Sequence, residues 1–152
     1  MRAPTIKRGW SLAALAVVVL FALIASPVAA ETRFRTYALI VDPAGEPLAA
    51  WQVELACDPA TVRIVGVEGG PSPWAEAPHY DPKGLEAGRL VIAAFTLAAQ
   101  PPAGAIRVAR IHVQESGWEE HVIRAKLTAA ADPAGRRIGA TVRLVPEEGE
   151  RP

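Results

Sequence analysis

Beyond residue 30, apolar side chains recur at every second position, in short runs cut off by Pro, Gly and Asp. Residues 48–70, LAAWQVELACDPATVRIVGVEGG, carry the pattern most plainly. Trp51, Val53, Leu55 and Cys57 share one phase, and Gln52, Glu54 and Ala56 the other. An Asp-Pro corner separates them from Val62 and Ile64. A two-residue period is that of a half-buried strand. No later stretch keeps a helical period long enough for an amphipathic helix. The chain must therefore build its core from strands.

Runs of this kind at 33–42, 49–57, 61–67, 89–97, 105–114, 121–130 and 137–145 predict seven or more strands. The phase changes at Gly66, between Ile64 and Val67, which predicts a bulge. The run RLVIAAFTL at 89–97 is almost wholly apolar and reads as a strand central in its sheet. Between the runs, Asp42-Pro43-Ala44-Gly45 returns as Asp132-Pro133-Ala134-Gly135, with relatives at Asp58-Pro59 and Asp81-Pro82-Lys83-Gly84. Pro fixes one corner torsion and Gly accepts a left-handed one, so these are turns. Residues 68–88 form a long loop with one helical turn near 83–87. Many short strands with turn signals between them predict an all-β fold, an antiparallel β-sandwich of immunoglobulin-like or jelly-roll type. A closed barrel fits the same pattern.

Residues 1–30 are of another kind. Arg2, Lys7 and Arg8 precede an uncharged apolar run, and SPVAA sets Val28 and Ala30 at the −3 and −1 positions of a signal-peptidase site. This predicts a helical signal peptide cleaved before Glu31, and a secreted, periplasmic or cell-envelope protein. The competing reading is a retained anchor, since a spanning helix needs about 20 apolar residues; the membrane is a partner only in that case. Residues 31–146 are then the sandwich domain and 147–152 a disordered acidic tail.

The region after the leader holds 13 Lys plus Arg against 16 Asp plus Glu, with the basic residues spread along it. No basic stripe is present, which excludes nucleic acid as a partner. Cys57 is the single cysteine, so no internal disulfide forms and the core must hold the fold. Its phase predicts a buried, inert thiol.

The stretch GEPLAAWQVELACDPATVRIVGVEGG at 45–70 resembles the second and third strands of the cohesin domain family, where an aromatic-Gln, a Leu, an aspartyl-proline corner and a Val-x-x-Gly ending recur in that order. GRLVIAAF at 88–95 is similar to the family's following G-x-I-x-x-A strand, and GAIRVARIHV at 104–113 to its later G-x-L-x-x-I-x-F-x-V strand. The likeness runs from about Tyr37 to Val113. Cys57 stands where the family carries an aromatic, and the 68–88 loop is Pro-rich. The resemblance implies a cohesin-like sandwich, within the superfamily that includes carbohydrate-binding modules, and a non-enzymatic binding role. Cohesins bind dockerin modules, so it implies a protein partner, a dockerin-like one among them.

The residues offer little for catalysis. Ser72 and Ser116 are the only serines after the leader, and neither sits in a nucleophile elbow. Glu119-Glu120 and Glu147-Glu148 are adjacent, so on a strand they point to opposite faces and cannot act on one bond. No enzymatic activity and no cofactor are expected. His79, His112 and His121 lack metal-ligand spacing; His112 and His121 would meet only across a hairpin around Gly117, beside Glu119 or Glu120. Glu76 and Asp81 are the calcium candidates, without a calcium loop around them. No metal is expected.

Two binding surfaces follow. Arg110, His112 and Gln114 form an outward polar row suited to a protein partner. Trp74, Tyr80 and Trp118 lie in loops or at strand ends, where exposed rings can stack on a polysaccharide. Alternatively, Trp74 and Tyr80 fold back to cap the sandwich, since an ordered loop of that length needs a small core of its own. Trp51, in phase with Val53 and Leu55, is a core residue.

Overall fold

A computed structural model describes residues 31–117 and 121–147. Among the described residues eight strands form: β1 (Thr32–Asp42), β2 (Ala50–Ala56), β3 (Val62–Gly69), β4 (His79–Tyr80), β5 (Arg89–Phe95), β6 (Ile106–Ser116), β7 (Arg124–Ala131) and β8 (Thr141–Glu147). They make two four-stranded sheets, in the orders β3-β6-β1-β8 and β4-β5-β2-β7, with every pairing antiparallel. The fold is an all-β sandwich rather than a closed barrel. The leader and residues 148–152 lie outside the described residues.

Alternation builds the core. Leu39 and Val41 of β1, Ile64 of β3 and Ile111 and Val113 of β6 face Trp51, Val53 and Leu55 of β2 and Leu90 and Ile92 of β5; all are buried. Each fully buried aliphatic side chain contributes ~1.5–3 kcal/mol relative to exposure. The ladder slips at three places. Val65 is passed over between Ile64 and Gly66, as the phase change predicts, and further slips fall beside Leu39 and Val53.

All four Asp-Pro corners use one device. The carboxylates of Asp42, Asp58, Asp81 and Asp132 accept the backbone N–H two residues on, from Ala44, Ala60, Lys83 and Ala134, at 2.9–3.0 Å. This side-chain turn is what Asp offers before Pro, which holds the intervening torsion. Asp132 is buried and also accepts from Arg136 through backbone and guanidinium. The Arg136 backbone N–H, with the guanidinium beside it, holds the Asp132 carboxyl below its ordinary range.

The 89–97 run lies inside its sheet, as its composition predicts: β5 sits between β2 and the two-residue β4, while Val91 and Phe95 on its outer face are exposed. Two expectations are corrected. The 105–114 and 121–130 runs do not form a hairpin; β6 and β7 belong to different sheets, which parts His112 from His121. Glu147 is no tail residue, since it pairs with Thr36 at the end of β8. The helical turn near 83–87 forms as a short 3-10 turn, Pro82–Leu85.

Candidate functional site

The polar row lies where the alternation puts it. Arg110, His112 and Gln114 face outward on β6, opposite Ala38, Thr36 and Phe34 of β1. The row is largely occupied by its own neighbours. Glu147 accepts from Arg107 Nη1 at 2.9 Å and from Arg110 Nε at 2.8 Å, tying β8 to β6 across β1. His112 Nδ1 lies 3.1 Å from Thr36 Oγ1. Its Nε2 lies 3.2 Å from Glu68 Oε1 without hydrogen-bond alignment. A partner docking here would have to displace these contacts.

The loop aromatics do not form a platform. Trp74 is 2 % exposed, and its ring meets Trp51 edge to face, with centroids 6.2 Å apart and planes at 75°. Gly69 and Gly70 make that descent feasible: a Cβ on Gly69 would collide with the Trp74 and Ala75 carbonyls, and one on Gly70 with the Arg107 carbonyl. Tyr80 is half-buried and packs against the core. Trp118 lies outside the described residues. Trp74 and Tyr80 therefore cap the sandwich, and Trp74 is removed from the surface that sugar stacking requires.

The outer face of β4-β5-β2-β7 was not anticipated as a site. Its register sets Phe95 beside Ala50 and Ala131, and Ala93 beside Gln52 and Ala129. Phe95 is 65 % exposed, and Leu97 just beyond it is 91 % exposed. The alanines leave a groove of about 290 Å3, lined by Ala50, Gln52, His79, Ala93, Phe95 and Ala129 among others. A second hollow of about 220 Å3, shared through His79, Ala94 and Phe95, holds Trp74 and Glu76. Gln52 is fixed, donating to Thr128 Oγ1 at 3.0 Å. Below the groove, Arg89 donates to Glu54 at 2.7 Å, and this bond first, then the charges of Arg89 and Lys126, holds the Glu54 carboxyl below its ordinary range. The signal for this face was the unbroken apolar run 89–97: its alternate members had no second layer to enter.

A third hollow, about 440 Å3, lies between the β2–β3 corner and the start of β7, and holds Cys57, Asp58, Thr61, His121 and Arg124. Cys57 is half-buried and points its thiol at the Val62 carbonyl, 3.5 Å away. Burial, and then the Asp58 charge, pushes the thiol pKa up, so at neutral pH it stays protonated and a poor nucleophile. His79, His112 and His121 stand in three separate places. Asp81 is spent on its turn. Among the described residues, no three of His, Cys, Asp and Glu gather as a metal site would require. Compared with family models, curated proteins and solved structures, the chain matches none.

Proposed function

We propose that this chain is an exported, non-enzymatic binding module that makes a protein–protein contact through the outer face of β4-β5-β2-β7. The observation that carries this reading is Phe95, a large apolar side chain standing 65 % exposed beside an alanine-floored groove on a rigid sheet. An exposed aromatic next to recessed small residues is the makeup of an interface centre. Exposing it to water has no structural return, because the core beneath is already closed by Trp51, Val53 and Ile92. The opposite outer face supports the same choice, since Arg107 and Arg110 beside its polar row are engaged by Glu147. The likeness of residues 45–113 to cohesin strands is in keeping with a protein-binding module. The polysaccharide reading is weaker: of its three rings, Trp74 is buried and Tyr80 is packed inward.

A photo-crosslinker placed at Ala93, on the groove floor, tests this in the native envelope. Adducts to protein are expected from Ala93 and not from Arg63, on the other outer face. No protein adduct from Ala93, or equal yields from the two positions, would overturn the reading.

A further inference from the structure

We infer that the occupant of this face is a second copy of the same chain, docked about a two-fold axis. The inference rests on the reading of the face as a contact surface and names its partner. A two-fold contact sets one patch against itself, so the patch must carry both halves of each contact. A face built for a different protein is under no such constraint.

The patch holds both halves in shape. Phe95 projects, and the groove floored by Ala50, Ala129 and Ala131 recedes beside it on the same surface. Turning one copy by 180° lets each ring enter the other's groove. The patch also holds both halves in charge. Glu76 lies at the β4 end, in the hollow beside His79, exposed and with no ion pair among the described residues. Lys126 lies on β7, at the opposite edge, exposed and opposite Glu54 in register. Glu54 is already bonded to Arg89, so Arg89 and Lys126 around one carboxylate leave that edge net positive. An acidic corner and a basic edge on either side of an apolar groove are complementary to themselves. The Glu76 carboxylate and the surplus positive charge at Lys126 become two cross-pairs in the dimer.

The size of the face sets the strength. Four strands spaced ~4.8 Å span ~14 Å and seven residues extend ~23 Å, a footprint of ~320 Å2. Even with Leu97 and the 73–77 loop added, this stays below the ~800 Å2 per partner of a standard interface. The dimer is therefore a concentration-dependent one.

Sedimentation equilibrium of the purified protein, from micromolar to near-millimolar concentration, tests the inference. The wild type is expected to pass from monomer to dimer within that range. Phe95→Glu abolishes the dimer. Glu76→Lys and Lys126→Glu alone each weaken it by roughly tenfold, two exposed pairs turning repulsive at once. Glu76→Lys and Lys126→Glu together restore it to within roughly threefold, because the swap keeps the signs complementary. Arg63→Glu, on the other sheet, leaves it unchanged. Melting curves establish that each variant is folded. A wild type that stays monomeric throughout, a dimer indifferent to Phe95→Glu, or a double variant no better than the singles would each overturn the inference. If the chain is monomeric while Ala93 still crosslinks to other proteins, the second copy is excluded and the contact face stands.

Discussion

Tyr37 donates its hydroxyl hydrogen to Glu115 across the β1–β6 ladder at 3.1 Å, and both residues are buried. Arg35 Nε at 3.3 Å and Arg33 Nη2 at 3.7 Å complete the surroundings of a carboxylate that is 2 % exposed. A buried charge is tolerated only when it is paired and hydrogen-bonded, and here one hydrogen bond and two ion pairs surround the carboxylate.

Removing one of them is therefore costly. Tyr37→Phe leaves Glu115 short of a donor and is expected to lower stability by about 1–3 kcal/mol. Glu115→Gln keeps shape and an acceptor and is expected to cost less than Glu115→Ala. Urea unfolding of the three variants checks the order.

The same pair sets the alkaline limit. Burial first, then the Glu115 charge and hydrogen bond, push the Tyr37 pKa above its ordinary 10.0. A raised pKa stabilises the folded state below the ordinary value and gives that up as pH climbs past it. The melting temperature of the wild type is expected to fall above about pH 10, and that of Tyr37→Phe to fall less.

Asp132 acts in the opposite direction. Its carboxyl is held below the ordinary 3.8 by the Arg136 backbone N–H and guanidinium. That contribution is present above the ordinary value and is lost as pH drops below it. Asp132→Asn should be less stable than the wild type at neutral pH, with the gap closing in acid. Melting curves across the acid range check this.

Trp74 closes the core over Trp51, so Trp74→Ala is expected to cost about 3–5 kcal/mol. Because the ring is inside, tryptophan emission from Trp74 should not respond to added polysaccharide. A shift that vanishes in Trp74→Phe would contradict the packing described.

The sheets were legible in the sequence because alternation and Asp-Pro corners are local chemistry. Trp51, Val53 and Leu55 had to share a face whatever lay opposite, and Gly66 had to break the phase. What was not legible is which strands neighbour which. The run 89–97 read as central, and β5 does lie between β4 and β2, but its composition could not say that no layer covers Val91 and Phe95 on the outer face. His112 and His121 looked like hairpin partners because the crossing from β6 to β7 between sheets depends on distant pairings. Arg110, His112 and Gln114 do face outward on β6, yet the closure of that row by Glu147 depended on β8 reaching the residue where the tail was expected to begin. Trp74 had two readings in the sequence, and the Gly69-Gly70 backbone contacts decide for burial.

Hydroxyl-radical labelling of Phe95, read in the dilute purified protein and again in intact producing cells, puts the contact face to the test most directly. Phe34, 72 % exposed on the other sheet, serves as the internal reference. Phe95 is expected to label readily in dilution and to become protected in the cells while Phe34 does not. Phe95 labelling equally in both settings would mean that nothing covers this face.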